Sequence, residues 1–232
     1  MTKGNYVLGD WGYFKLLQLV AEGLENRDID YALVGGGAVQ ARIIDAFNRY
    51  EGITAPNVSE LFLRRTKDFD ITSRSSEGEL VYFLNMLQVE NEPLSIRPKQ
   101  PRRVNLAYKG RQNIEPTVVV LNYQLGTQDF SGLSEKFYNE CLDTAEDLDL
   151  RYNNEVARVR VATPECIVAS KLTRSSVKDI FDVSTLLKIM AQYKEKGMKP
   201  FNYDLVRRYL EESGKGHCYN NLDSIVTEVL KE

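Results

Sequence analysis

Apolar positions return at helical spacing from Trp11 to Leu24, where Trp11, Phe14, Leu17 and Leu24 mark one face, and the polar stretch Glu25-Asn26-Arg27-Asp28 ends the predicted helix. Tyr31-Ala32-Leu33-Val34 then reads as a short buried strand. It runs straight into Gly35-Gly36-Gly37, and Ala38 to Ile44 resumes helical spacing, so the segment predicts a strand, a glycine turn and a helix in succession. After a polar loop containing Pro56, the stretch Arg64 to Thr72 alternates as a strand. Thr66, Asp68 and Asp70 share one face, and Lys67, Phe69 and Ile71 the other. Ser75 and Ser76 offer N-caps for a helix through Leu87, carried by Leu80, Phe83, Leu84 and Leu87. Further strands are expected over Arg103 to Tyr108 and over Thr117 to Tyr123, the latter holding the β-branched run Val118-Val119-Val120. A hairpin around Asn153-Asn154 joins Asp147 to Tyr152 with Val156 to Val161.

Beyond residue 162 the pattern becomes helical. Thr163-Pro164-Glu165 is a helix start, with Thr as N-cap and Pro at the first helical position, and that helix carries Lys171. Asp179 to Gln192, Tyr203 to Glu212 and Leu222 to Lys231 supply further amphipathic segments, separated by Gly197, Pro200, Gly214 and Gly216. The predicted fold class is therefore α+β: a mixed sheet with flanking helices over residues 1–162, followed by a helical C-terminal region over 163–232. A chain of 232 residues holds one or two domains by length alone.

Composition narrows the class without naming a function. Hydrophobic residues at 43% and charged residues at 27% are ordinary for a globular protein. A net charge of −3 argues against a protein that coats nucleic acid over its whole surface. Locally, however, Arg97, Lys99, Arg102, Arg103, Lys109 and Arg111 crowd together without an intervening acid. That cluster reads either as a phosphate or RNA contact or as a strand edge guarded by cations. The three cysteines, Cys141, Cys166 and Cys218, form no CxxC and stand apart from the single histidine, except that Cys218 follows His217. They predict free buried thiols, not a disulfide frame or a zinc site. No run approaches the roughly 20 apolar residues of a membrane span, and a cytoplasmic protein with no membrane partner is expected.

The chemistry concentrates in two elements. Glycines after a buried strand let backbone approach a ligand closely, and amides at the start of the next helix favour phosphate oxygens. Gly35-Gly36-Gly37 is neither GxGxxG nor GxxxxGKS/T, so alone it reads equally well as a tight structural turn. Asp68 and Asp70, at i and i+2 on one strand face, add a second observation, because neighbouring carboxylates repel unless a cation sits between them. Magnesium is the natural cation, being held by one or two carboxylates together with substrate phosphates.

Gly35-Gly36 followed by Arg64-x-Thr66-x-Asp68-x-Asp70 resembles the DNA polymerase β-type nucleotidyltransferase superfamily. The closer resemblance is to its abortive-infection AbiEii-like toxin branch, whose lysine helix and arginine-to-aspartate stretch are echoed by Thr163-Pro164-Glu165 leading to Lys171, Arg174, Lys178-Asp179 and Asp182. It covers residues 30 to about 190. The resemblance implies a nucleotidyltransferase-type sheet and an enzyme that moves a nucleoside monophosphate from a magnesium-bound NTP, with manganese as the alternative ion, to an RNA, tRNA or protein hydroxyl. It further implies a toxin held by an antitoxin protein. Carried over to this chain, Gly35 and Gly36 cradle the triphosphate, Asp68 and Asp70 bind metal, Lys171 reaches phosphate, and Asp182, or else Asp179, is the partner acid. Gly37 is counted with the nucleotide-binding turn, and Thr66, which shares the acidic face with Arg64, either supports that site or simply packs.

One departure stands out. The superfamily usually places a third acid on a later strand, to complete the metal site and help deprotonate the attacking hydroxyl. Here that strand reads Thr117-Val118-Val119-Val120-Leu121-Asn122-Tyr123, with Glu115 beyond Pro116 the nearest acid and Asn122 a weak oxygen donor. The alternative reading is accordingly a catalytically weakened nucleotide-binding or partner-binding module on the same fold.

Overall fold

The computed structural model describes residues 11–49, 68–109, 116–125, 132–152, 154–174, 176–195 and 199–229. In chain order these form α1 (Trp11–Glu25), β1 (Tyr31–Val34), α2 (Gly35–Arg49), β2 (Asp68–Ser73), α3 (Glu77–Glu90), β3 (Leu94–Gln100), β4 (Arg103–Tyr108) and β5 (Thr117–Leu125). They continue with α4 (Glu135–Asp143), β6 (Glu146–Tyr152), β7 (Glu155–Val161), α5 (Pro164–Leu172), α6 (Val177–Glu195) and α7 (Tyr203–Glu212). A short 3₁₀ turn at Gly216–Cys218 leads into α8 (Tyr219–Val229).

The strands make one mixed sheet of seven in the order β3-β4-β5-β2-β1-β7-β6, so the α+β class is the one observed. β2 lies at its centre, antiparallel to β1 and parallel to β5, while β1 runs parallel to β7. Antiparallel hairpins, β3–β4 and β6–β7, close the two edges. Over the first four residues of β2 burial alternates: Phe69 and Ile71 are buried, whereas Asp68 and Asp70 are half-buried on the opposite face. Register then aligns a polar row across four strands, with Val34 opposite Asp70, Asp70 opposite Asn122, and Asn122 opposite Arg103. The next row carries Asp68, Val120, Asn105 and Arg97.

Helices cover the sheet according to their apolar stripes. α1 packs on β4, β5 and β7, and its Tyr13 ring meets Phe69 edge-on at 4.6 Å, which places α1 on the face away from Asp70. α2 packs on β1, β2, β6 and β7 and also touches α5 and α6. α4 rests on β1 and β2. The helices after residue 163 pack on one another, with α5 meeting α6, α7 and α8. No helix among the described residues is long and apolar enough to cross a membrane.

Local signals explain most boundaries. Ser76, rather than Ser75, caps α3, in a capping box whose other half is Glu79. Thr163 has the extended N-cap backbone and Pro164 opens α5, although the Thr163 hydroxyl makes no cap hydrogen bond. Two elements lie outside the sequence reading. β3 contains Pro98, which an edge strand tolerates, and its register shifts between Pro98 and Gln100. α4 is a nine-residue helix capped by Ser134, burying Phe137, Tyr138, Cys141 and Leu142. The upstream half of the expected β2 strand, with Arg64 and Thr66, falls outside the described residues.

Gly12 measures how tightly α1 seats on the sheet. A Cβ there would stand 2.0 Å from Thr117 Oγ1 and 2.6 Å from Thr117 Cβ, so Gly12→Ala should cost about 1–3 kcal/mol through overpacking. Thermal denaturation of Gly12→Ala alone and paired with Thr117→Gly checks this: the second change should recover most of the loss. An unaltered melting temperature in Gly12→Ala would mean that α1 does not sit this close.

Candidate functional site

The site begins at the junction of β1 and α2. Gly35 takes a positive φ of 65°, and a Cβ built on it would fall 2.2 Å from Asp70 Oδ2. Only glycine combines that backbone conformation with that approach to a carboxylate. The expected glycine turn is thus compressed into the first turn of α2 itself, whose leading amides lack intrahelical partners and favour anions. A Cβ on Gly37 would meet the Tyr13 hydroxyl and Leu33 at an ordinary 3.5–3.7 Å, so neither space nor backbone conformation demands glycine there.

Asp70 is held from its other side by Asn122, whose Nδ2 donates to Oδ1 at 2.7 Å. Burial pushes the Asp70 carboxyl above its usual range; the Asn122 bond opposes this, Asp68 adds to it, and Arg174 and Lys171 pull it back. The Tyr13 phenol is also raised, by burial first and then by the charges of Asp70 and Asp68. Because Asp70 can only accept, the Asn122 amide must turn its nitrogen toward Asp70 and its oxygen away. That Oδ1 is buried with no hydrogen-bond partner.

Around this pair lies a cavity of about 300 Å³. Its polar lining includes Gly35, Asp70, Asn122, Arg103, Ser170 and Arg174, and its apolar lining Phe137, Tyr138, Cys141 and Cys166. Of the basic cluster, Arg103 lines the cavity, while Arg97, Lys99 and Lys109 stay exposed along the β3–β4 hairpin and Arg111 lies outside the described residues.

Lys171 occupies a different place. It is 1% exposed and its Nζ lies 2.6 Å from Asp182 Oδ2 and 3.0 Å from Asp179 Oδ1. Arg174 Nη2 shares Asp179 Oδ1 at 3.1 Å, and the Ser176 hydroxyl donates to Asp179 Oδ2 at 2.6 Å. Burial pushes the Asp179 carboxyl up, but Ser176, Lys171 and Arg174 together hold it below the usual range. α5 ends at Leu172 and α6 starts at Val177, so Lys171 and Asp182 meet across two helices and not along one. Lys171 and Asp182 therefore form a buried ion pair behind the cavity wall, and Arg174, missed as a site residue in the sequence because an arginine in a helix break looks like solvated surface, is the cation of this group that lines it.

The donor set suits a hard cation: two carboxylates on one strand face, one of them desolvated. No group of three His, Cys, Asp or Glu side chains with metal-ligand geometry occurs among the described residues. Thr66 falls outside them.

No family model and no curated protein matches the chain. Among solved structures it is similar to an antigenic nucleotidyltransferase-like protein from Paracoccidioides brasiliensis, with 18% identity, 81% of this chain and 79% of that one covered, and a TM-score of 0.49. It is also similar to JHP933 from Helicobacter pylori, with 15% identity, coverage of 97% and 94%, and a TM-score of 0.47. For the antibiotic-resistance factor ANT(2'')-Ia the values are 12%, 93% and 97%, and 0.43.

Two predictions follow from this geometry. Lys171→Met strips Asp179 and Asp182 of their shared buried cation and should cost about 3–5 kcal/mol. Arg174→Met, at a side chain 43% exposed, should change stability by under about 1 kcal/mol. Denaturant titration of both variants decides it, and equal costs would contradict the division of roles. For Asp70, the folded state binds the carboxyl proton more tightly than the unfolded chain does. Stability therefore falls as pH rises from the ordinary carboxylate value through the raised one, and the cost persists above it. Metal-free Asp70→Asn should melt higher than the parent at neutral pH, with the gap narrowing in acid; a parent at least as stable as the variant at neutral pH contradicts the buried charge.

Proposed function

We propose that this chain is a metal-dependent nucleotidyltransferase, which moves a nucleoside monophosphate from an NTP to an acceptor hydroxyl on RNA, tRNA or protein. The observation that carries the reading is Asp70, paired with Asp68 on one strand face and pressed against the positive-φ Gly35 at the start of α2. Asp68 and Asp70 would hold magnesium or manganese. The ion would neutralise charge developing on the transferring phosphoryl group.

The chain's own groups divide the remaining work. Amides of the first α2 turn and the Arg174 guanidinium bind phosphate oxygens, and Arg103 adds a cation on the far side of the same row. Asn122 fixes the rotamer of Asp70 through its amide nitrogen. The apolar wall of Phe137 and Tyr138 keeps water from the reacting phosphorus. An acceptor oxygen forms its bond to the α-phosphorus in line with the breaking bond to the β-phosphate, and pyrophosphate leaves. Asn122 cannot accept the acceptor's proton, so that task falls to one of the two aspartates or to solvent.

The resemblance noted in the sequence extends the proposal to a toxin restrained by an antitoxin protein. The second reading, a nucleotide-binding module with weakened chemistry, draws on Asn122 standing in register with Asp70 where a third acid would complete the site.

Incubation of the protein with labelled NTPs, magnesium or manganese, and total RNA or protein extract separates the two. The enzyme reading expects label on one acceptor class, and Asp70→Asn should lower transfer by about two orders of magnitude or more while the fold survives. Arg174→Met should weaken NTP binding more than metal binding. Absence of transfer together with metal-dependent NTP binding that Asp70→Asn weakens would establish the binding module instead, and full transfer by Asp70→Asn would remove both readings.

A further inference from the structure

Cys141 on α4 and Cys166 on α5 meet in the wall of the cavity that also holds Asp70, and the proposed transfer uses neither. Both are free thiols, 0% and 1% exposed, carried by separate helices. The Cys141 thiol hydrogen-bonds the Cys166 sulfur, and Thr163, Tyr209 and Thr144 are its other polar neighbours, with Thr144 Oγ1 at 4.0 Å. Cys166 is the third residue of α5, among the amides that a helix start leaves unpaired, a position that favours a thiolate. The hydrogen bond from Cys141 outweighs burial and holds the Cys166 thiol below its ordinary range. Cys218, the third cysteine, sits in the 3₁₀ turn beside His217 and does not line this cavity.

We propose that Cys141 and Cys166 form a peroxide-reactive dithiol whose oxidation to a disulfide ties α4 to α5 beside Asp70. The cavity supplies the path for a small oxidant to Cys166, and Cys141, which has no exposed surface, need only reach the oxidised sulfur. Cys166, as thiolate, attacks one oxygen of the peroxide; the O–O bond breaks, that oxygen stays on sulfur as a sulfenic acid, and the other leaves and takes a proton. With hydrogen peroxide the leaving product is water. The Cys141 thiol then attacks the oxidised sulfur; the S–S bond forms, the S–O bond breaks, and the thiol proton departs with the hydroxyl as water. Two electrons pass from the two thiols to the peroxide. The link fixes Phe137 and Tyr138, carried by α4, against Ser170 on α5 and so sets the width of the cavity.

The chemistry does not depend on nucleotide transfer, and its test does not read activity. The native full-length chain is exposed to hydrogen peroxide, alkylated and examined by intact mass and peptide mapping. The expected result is a loss of two hydrogens, a peptide joining Cys141 to Cys166, reversal by dithiothreitol, and oxidation about tenfold faster than at Cys218. Cys141→Ser should leave a sulfenic acid on Cys166 that dimedone captures, and Cys166→Ser should give neither adduct nor link. A native protein whose pair stays reduced, a link that forms only in denaturant, or oxidation of Cys218 at an equal rate overturns the proposal. If a serine variant does not fold, the peptide map of the unsubstituted chain decides alone.

Discussion

Asp70 puts a carboxylate at a junction with little space to spare, and the arrangement around it follows from that placement. Gly35 must lack a Cβ because Oδ2 occupies the place, and it must adopt a positive φ so that β1 can pass directly into α2. β5 must run parallel to β2 in the observed register, since only then does the Asn122 amide lie opposite Asp70 and donate to Oδ1. Burial makes the charge costly, and the cations Arg174 and Lys171 act on it without any ion pair to it among the described residues. A neutral residue would pack there at lower cost, and under the proposed reading the charge is kept for a bound cation.

The ionic group behind the cavity solves a different problem. Lys171 is fully buried, which is tolerable only because Asp179 and Asp182 surround its ammonium group. The break between α5 and α6 is what lets residues eight and eleven positions apart in sequence close on one amine. Asp179 in turn receives Arg174, so the same carboxylate that neutralises Lys171 also orients the guanidinium at the cavity wall. Burial of one cation thereby positions the other, and the pair of helices gains a fixed mutual geometry from four charges that sum to zero.

Much of this was legible in the residue pattern, for identifiable reasons. Period-two alternation assigned Asp68 and Asp70 to one face and Phe69 to the other, and the glycines after a short apolar strand marked the junction with α2. Thr163-Pro164 carried enough capping chemistry to locate the start of α5. Elements whose signals conflict were not legible: Pro98 hides β3, and a helix as short as α4 shows too few turns of periodicity. Individual roles depended on tertiary register. Lys171 and Arg174 are two cations three positions apart, yet one is sealed in and the other lines the cavity. Nothing local distinguishes Asn122 from any amide on a strand until β2 and β5 align.

The amide at that position also bears on how a cation and a triphosphate would share the site under the proposed reading. A carboxylate in place of Asn122 would stand about one strand spacing, roughly 4.8 Å, from Asp70, and would raise still further a carboxyl that burial already raises. The amide avoids that repulsion and donates a hydrogen bond instead. It also leaves the donor set with only two negative charges, too few to retain magnesium tightly against water. Phosphate oxygens arriving with the nucleotide would complete the set, and Arg174 and the α2 amides would hold those same phosphates. Each ligand then supplies part of the other's site, so metal should strengthen nucleotide binding by the same factor by which nucleotide strengthens metal binding.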